Sequence, residues 1–355
     1  MTESIARAST GAPLLSICIS TFNRADWIGE TLAGLMAQVT PQVEVVIVDG
    51  ASTDGTQAVV QSCMQTWPSI VYHREAENSG VDRDFDKAVQ YASGVYCWLM
   101  SDDDLLAPDS ISQVIARLAA GPELVVVNSR ICSKQMQLVL DPDRLRMLAD
   151  RDFATQDAEQ FFTQAAAYLT FIGGVVIRRS QWLARQREPY FGTLFIHVGV
   201  IFQLPPLQKV SVIAQPLISI RYGNALWTAR GFEIWIAKWP DLVWSFPQFS
   251  DIAKATVTPR HPATSLKTLL FFRAIGAYGF AEFGAVLRGK RPHHFMASWV
   301  AMIPASFANG LAATYCLLRR QPNSQMMVYE LARAKCASSV AKWAARRFRF
   351  PETEI

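Results

Sequence analysis

Two kinds of hydrophobic pattern divide this chain. In the first third, short apolar runs show almost no polar alternation: LLSICISTFN (14–23), VEVVIVDG (43–50), SIVYHRE (69–75) and GVYCWLMS (94–101). Each of the first three is followed by a segment of helical period: ADWIGETLAGLMAQ, STDGTQAVVQSCMQTW and VDRDFDKAVQYAS. Strands without alternation are buried on both faces, and helices between them provide the cover. This predicts an α/β fold with a mostly parallel sheet and helices on both sides. From Glu123 the pattern loosens. ELVVVNSRI reads as a further strand, FIGGVVIRRSQWL (171–183) as a strand opened by a glycine pair and followed by a helix, and VSVIAQPLISIRYG as a late strand pair. The last third is helical and apolar, with sparse charge in SLKTLLFFRAIGAYGFAEFGAVLRGKRP and none in the 24 residues from Phe295 to Leu318.

That uncharged stretch is long enough to span a bilayer. Pro304 and Asn309 interrupt it, however, and basic residues flank both ends: Arg288, Lys290 and Arg291 on one side, Arg319 and Arg320 on the other. Positive charge normally marks one side of a span. Helices lying in the membrane interface are the favoured reading, with a re-entrant or spanning helix and a buried helix pair as alternatives. The closing segment ELARAKCASSVAKWAARRFRF reads as a basic amphipathic helix suited to an anionic lipid surface, or else as a solvated basic tail. Charge follows the same division. Of the 355 residues, those from Thr256 onward hold 14 Lys and Arg against 4 acids, a net of +10, which leaves −6 of the total +4 for the first 255. Such a split predicts an acidic catalytic body and a basic tail that meets an anionic surface. The six cysteines are scattered, without metal spacing, and read as reduced residues of a cytosolic protein. The start of the chain, MTESIARASTGAP, is polar, so residues 1–12 are expected to be disordered and no secretory signal is expected.

Candidate chemistry gathers where the strands end, the edge at which doubly wound sheets bind ligands. Asp102, Asp103 and Asp104 follow the fourth strand directly, and three adjacent carboxylates repel one another unless a cation is near. Oxygen ligands of this kind suit Mg²⁺ or Mn²⁺, which can bridge a diphosphate. Asp49 ends the second strand, where it can contact a base or sugar, while Ser52, Thr53 and Asp54 are strong turn and cap residues. Arg83 opens the following helix, placed to meet a base or phosphate or to pair with Asp82, Asp84 or Asp86.

In their order and spacing, SICISTFNRADWIGETL, VEVVIVDGASTDGT and NSGVDRDFDKAVQYASGVYCWLMSDDD resemble the family 2 glycosyltransferases of the GT-A fold. The wording DRDFDKAV…GVYCWLMSDDD is most similar to the abequosyltransferase-type enzymes of bacterial surface-polysaccharide assembly. The resemblance is strong over about residues 13–125, weaker to about 225, and absent beyond. It implies a nucleotide-sugar-binding half (13–125) and an acceptor-binding half (126–228), while the apolar and basic pattern of 229–355 predicts a separate helical, membrane-associating region. It also implies roles. Thr21, Asn23 and Arg24 would line the nucleotide pocket, Asp49 would contact the base with Arg83 beside it, and Asp102 and Asp103 would face the nucleotide sugar. Asp104, with Asp102, would hold Mg²⁺ or Mn²⁺ on the diphosphate. UDP is the default nucleotide. Gly173 and Gly174 would let the backbone approach an acceptor saccharide, lipid-linked through a polyprenyl diphosphate, at the cytoplasmic face of the bacterial inner membrane.

One departure stands out. Inverting members carry an acidic base in the second half, and YFGTLFIHVGVIFQL (190–204) has no acid. His197 stands in that place and is the candidate base of an inverting hexosyl-type transfer, since its free pKa lies near neutrality. Glu188 is a weaker stand-in, and without a base a retaining or substrate-assisted route opens. The competing readings are the same fold on a soluble or protein acceptor, and a non-catalytic sugar-nucleotide-binding scaffold. A nucleotidyltransferase would show a Gly-rich loop with a Lys, which STFNRADW lacks, and no nucleic-acid partner is expected.

Overall fold

The structure is a computed structural model that describes residues 12–224, 230–287, 294–319 and 323–355. The expected disorder of 1–12 therefore falls on residues outside the description except for Ala12, and Arg288, Lys290, Arg291 and Arg320 lie outside it as well. The chain forms two compact units. One comprises the residues up to Arg130 together with Asp143–Ile220, and the other Ile131–Pro142 together with Arg221–Ile355. The segments expected as two halves, 13–125 and 126–228, thus share the first unit, apart from 131–142 and the residues after Ile220.

The first unit is built on a sheet whose opening strands are β1 (Leu15–Thr21), β2 (Val43–Asp49), β3 (Ile70–Arg74) and β4 (Tyr96–Met100). They lie side by side in the order β3-β2-β1-β4, all parallel, with Thr21 paired to Asp49 and Ile19 to Met100. In β1, β2 and β4 nearly every residue is buried, which is why the sequence does not alternate there. Helices α1 (Ile28–Met36), α2 (Thr56–Thr66) and α3 (Val81–Tyr91) are the crossovers of this parallel half. Short β5 (Leu105–Leu106) and helix α4 (Ser110–Leu118) follow the acidic triplet.

The other half corrects the expectation of a mostly parallel sheet. Strands β6 (Leu124–Cys132), β7 (Val139–Asp141), β8 (Arg151–Ala154), β9 (Val175–Arg178) and β10 (Lys209–Arg221) follow, and the sheet continues in the order β4-β9-β6-β10-β5. β9 runs antiparallel to both β4 and β6, β10 runs antiparallel to β5 and β8, and β7 runs antiparallel to the end of β6. The late strand pair is in fact one 13-residue strand, β10. It pairs with β8 at its start and with β5 near its end, so a change of partner reads in sequence like a break. Helices α5 (Ala158–Ala165), α6 (Arg179–Ala184) and α7 (Ile196–Phe202) complete the unit. The core gathers Ile17, Ile19, Ile47, Trp98 and Met100 of the sheet with Ile28 and Leu32 of α1 and Val114 of α4.

The second unit is helical, with helices Trp239–Ser245, Asp251–Val257, Leu266–Ala274, His294–Met302, Ala305–Arg319, Ser324–Arg333 and Ser339–Arg347. Phe232 stacks on Tyr278 (4.3 Å between ring centroids) and meets Phe272 edge-on, forming the centre of its core. The C-terminus is tied down by buried Glu354, which accepts from the Ser133 hydroxyl, from the Gln135 amide and from Tyr329 Oη. The uncharged stretch is two helices meeting at 99°, with Pro304 in the break. No single helix among the described residues is long and apolar enough to cross a membrane.

Candidate active site

Strand register decides which residues meet at the carboxyl edge of the parallel half. β1 is central, so its last residue, Thr21, lies beside Asp49 on one side and level with the chain leaving β4 on the other. The loops after β1 and β2 are stitched together. Asn23, held at φ 54°, donates its amide to Ser52 Oγ (2.9 Å), and its Oδ1 accepts from the Thr53 amide (2.8 Å). The Arg24 amide donates to Thr56 Oγ1 (2.7 Å), and the Ala25 amide to Asp54 Oδ2 (3.1 Å). Asp54 Oδ1 also accepts from the Thr56 amide, the first residue of α2, in a turn that leads into the helix, whose N-cap is Gly55.

Asp49 is fully buried, and both of its oxygens are engaged: Oδ1 accepts from the Ser52 amide (2.7 Å) and Oδ2 from Tyr72 Oη (2.5 Å). Each carboxylate oxygen has two lone pairs, so these bonds orient the group and leave acceptor capacity. Gly50 follows because nothing larger fits: a Cβ there would lie 2.6 Å from Asp84 Oδ2. Asp84 is buried and accepts from Ser79 Oγ (3.2 Å). Its pKa is pushed up to about 6, chiefly by burial and then by the charges of Glu75 and Asp49.

The acidic triplet lies at the same edge. Asp102, Asp103 and Asp104 are each at most 6% exposed, an uncommon state for carboxylates without strong partners. Arg24 supplies counter-charge, with Nε 3.4 Å from Asp102 Oδ1 and Nη2 3.9 Å from Asp103 Oδ2. Ser101 Oγ donates to Asp103 Oδ1 (2.8 Å). Burial and the neighbouring Asp103 nevertheless raise the Asp102 pKa to about 7, against the opposing effects of Arg24 and the nearby Thr21 hydroxyl. Burial also raises the Tyr168 pKa, and the charge of Asp104 adds to that rise while Arg144, 5.4 Å from the Tyr168 ring, opposes it.

Among the described residues no three His, Cys, Asp or Glu side chains converge as a metal cage. The fit is to a different kind of site. Mg²⁺ characteristically takes one or two protein carboxylates and completes its shell with phosphate oxygens and water. Adjacent, buried, hard oxygen donors whose mutual repulsion lifts a pKa toward neutrality match that requirement.

Three expectations about individual residues are corrected. Arg83 makes no ion pair among the described residues. It points outward from α3, with its guanidinium 4.3 Å from the Phe191 ring centroid, while Asp82, Asp84 and Asp86 turn inward. Residue 83 is about 100° around the helix from either neighbour, so one face cannot hold all four. The buried acids have other work. Asp82 accepts from the Leu194 and Ile196 amides (2.8 and 3.1 Å). Asp86 Oδ1 accepts from Trp182 Nε1 (2.8 Å) and forms an ion pair with Arg187 Nε (2.8 Å).

Gly173 and Gly174 do not line an open surface. Both are buried in a turn before β9, where a Cβ would fall 2.3 Å from the Phe171 ring or 2.8 Å from the Tyr168 ring. The Gly173 carbonyl accepts from Trp98 Nε1 (2.8 Å). They are glycines because aromatic rings pack against the backbone.

His197 is a core residue. It is 1% exposed in α7, every residue of which is buried, and its Nε2 lies 2.6 Å from the Leu169 carbonyl. A carbonyl only accepts, so Nε2 carries the proton and Nδ1 is bare, with no partner among the described residues. Burial lowers its pKa to about 4. Neither basicity nor access suits it to deprotonate an acceptor.

Arg24 was legible as a residue of the loop after the first strand, though not as the partner of a triplet 78 residues on. Tyr72 and Asp84 were missed. The available signal for Tyr72 was the single polar hydroxyl facing inward in β3, whereas nothing in DRDFD singles out Asp84 among its acids.

Residues 16–179 match the family model described as Glycosyl transferase family 2. Over 231 residues the chain is 26% identical to abequosyltransferase RfbV of Salmonella typhimurium, covering 61% of this chain and 69% of that protein. Over residues 16–179 the chain thus matches the family 2 glycosyltransferases, and it is similar in sequence to an abequosyltransferase. It is also 29% identical over 143 residues to the succinoglycan biosynthesis protein ExoO of Rhizobium meliloti, covering 40% of this chain and 39% of ExoO. Two solved structures share the fold of this chain. These are residues 1–349 of S. aureus TarS (TM-score 0.52, 14% identity, 90% of each chain) and the mannosyltransferase PcManGT of Pyrobaculum calidifontis (TM-score 0.52, 17% identity, 97% of this chain and 89% of that one).

Proposed function

We propose that this glycosyltransferase moves a sugar from a nucleotide diphosphate sugar to a saccharide acceptor in bacterial polysaccharide assembly. The observation that carries this reading is the gathering of Asp49, Asp84 and the Asp102–Asp104 triplet, with Arg24, at the edge where β1, β2 and β4 end. Sequence relatives named for abequosyl transfer and for succinoglycan biosynthesis support the polysaccharide context. TarS is described with UDP and with UDP-GlcNAc, and PcManGT with GDP-Man and Mn²⁺, which supports a nucleotide sugar donor with UDP as the first choice.

In this reading the chain's residues do the following work. Asp49, held by Tyr72 and the Ser52 amide, accepts from the base or ribose. Gly50 keeps the backbone close to Asp84. Arg24 holds Asp102 and Asp103 in place and tempers their repulsion. Asp104, with Asp102, would hold Mg²⁺ or Mn²⁺, and that ion would supply charge stabilisation to the departing diphosphate. The displacement we propose is inverting, and it takes its base from a residue other than His197. The acceptor we propose is lipid-linked, met at the cytoplasmic face of the membrane.

A nucleotide-release assay across UDP-, GDP-, CDP- and dTDP-sugars, with Mn²⁺, Mg²⁺ or chelator, tests the proposal. We expect release from one nucleotide series, abolished by chelation. Release from no donor would overturn the enzymatic reading, and release indifferent to chelator would overturn the metal assignment.

A further inference from the structure

The second unit inverts the usual arrangement of amphipathic helices. In helix His294–Met302 the residues turned inward are Ala297, Val300 and Ala301, each 2% exposed, whereas Phe295, Trp299 and Met302 are 73%, 56% and 61% exposed. Helix Ala305–Arg319 repeats the pattern: Ala308, Asn309, Ala313 and Cys316 face the unit, while Phe307, Leu311, Tyr315 and Leu318 face out. The spacings 295/299/302 and 307/311/315/318 are each one helical face. Seven large apolar side chains at these spacings make a patterned surface, unlike the scattered singles that any protein exposes.

The inward face is fully used within the unit. Asn309 is fully buried and donates to the carbonyls of Ala274 and Leu331, and its Oδ1 accepts from the amide and hydroxyl of Ser338. This side chain pins the helix to three neighbouring segments in one register. Crossing a bilayer would break the four hydrogen bonds of Asn309, and the 99° bend at Pro304 keeps the pair from forming one straight span.

Charge indicates what covers the exposed face. Lys267 lies 5.2 Å from the Tyr315 ring, Arg319 ends the same helix, and the packed neighbour Ser339–Arg347 turns Lys342, Trp343, Arg346 and Arg347 outward over buried alanines. From Thr256 on, the sequence holds four acids, of which Glu354 is buried and bonded. Hydrocarbon and aromatic side chains bordered by cations match the interface of an anionic bilayer, where rings sit at headgroup depth and Lys and Arg meet phosphate.

We propose that the outward faces of helices His294–Met302 and Ala305–Arg319 form a surface that docks this unit onto an anionic lipid bilayer, lying in the interface without spanning it. The inference rests on the lipid-linked acceptor reading for its purpose, and it is tested by a readout independent of the reaction.

The full chain is floated with vesicles of phosphatidylethanolamine and phosphatidylglycerol, and with vesicles of phosphatidylcholine. We expect binding to the anionic vesicles, weakened by salt and released by an alkaline carbonate wash, and roughly tenfold weaker or absent on phosphatidylcholine. Trp299→Glu with Phe307→Glu, both at exposed positions, is expected to lower vesicle binding by about tenfold or more while nucleotide release in vesicle-free solution stays unchanged. Equal flotation of that variant, or none by the parent chain, overturns the docking surface. So does a parent dimer that the two substitutions convert to monomer without any vesicle binding, since the face would then belong to a second copy. Retention after carbonate overturns the non-spanning geometry. Failure of the parent chain to release nucleotide overturns the donor reading instead, and flotation that still depends on Trp299 and Phe307 then supports the docking surface by itself.

Discussion

The acidic triplet and His197 are both buried and ionisable, with pKa values moved from the ordinary at Asp102 and at His197, yet the surroundings assign them opposite parts. Asp102 is raised by burial together with a like charge, and Arg24 opposes that rise from a loop after a different strand. His197 is lowered by burial, its proton is given to a backbone carbonyl, and its helix is held by Asp82 through the Leu194 and Ile196 amides. Titratable groups that perturb one another at a strand edge are poised for a ligand, whereas a single group perturbed by apolar packing is serving the core.

The sharpest way to break this contrast is Asp104→Asn. We expect nucleotide release to fall on the order of 10²-fold or more with the melting temperature little changed, because a charge acting on the leaving group is lost. Arg24→Ala comes next. It leaves Asp102 and Asp103 buried without that guanidinium, so kcat/KM should fall by about tenfold or more and stability by about 1–3 kcal/mol, read by chemical denaturation. On the other side of the contrast, Asp82→Ala removes the acceptor for two amides near His197. Denaturation should show a loss of about 1–3 kcal/mol and catalysis a smaller change. His197→Gln should leave kcat within about threefold, since a group outside the reaction contributes none of the tenfold steps that each 1.36 kcal/mol of barrier represents. A drop of about 10²-fold at unchanged KM would instead make His197 the base and erase the distinction.

The smallest effect is in pH dependence. Asp84, with a folded pKa of about 6 against roughly 3.9 unfolded, binds more protons when folded, so its contribution to stability falls as pH rises between those values. His197, at about 4 against roughly 6.5 unfolded, binds fewer, so its contribution rises with pH from about 4 to 6.5. The two slopes oppose each other. Asp84→Asn should steepen the gain in melting temperature between about pH 4 and 6.5, and an unchanged profile would show that the Asp84 shift is absent.

Much of the donor side was legible in the residues themselves. Unbroken apolar runs separated by helical periods give a parallel half-sheet, and a carboxylate written directly after such a run must sit at the strand end, so Asp49 and Asp102–Asp104 could be placed by counting. The acceptor side was not legible in the same way. Gly173 and Gly174 look permissive in sequence, and only the Phe171 and Tyr168 rings, folded back onto them, show that the space is taken. His197 occupies the place of an expected base, and only Leu169, 28 residues away, accounts for its proton.

What the sequence determined alone is what depends on neighbours along the chain: the strand and helix periods, the carboxyl-edge position of the acids, the turn residues after β2, and the split of charge between a −6 body and a +10 tail. What only the tertiary structure decided is which face of each element is covered. Arg24 reaches Asp102 across 78 positions, Asp82 reaches Ile196 across 114, and the antiparallel half of the sheet follows from strands paired far apart in the chain. The same holds for helices His294–Met302 and Ala305–Arg319, where period shows two faces and packing against small residues decides that the aromatic one looks outward. Periodicity is a local property of the backbone, whereas burial depends on partners brought in by the rest of the fold.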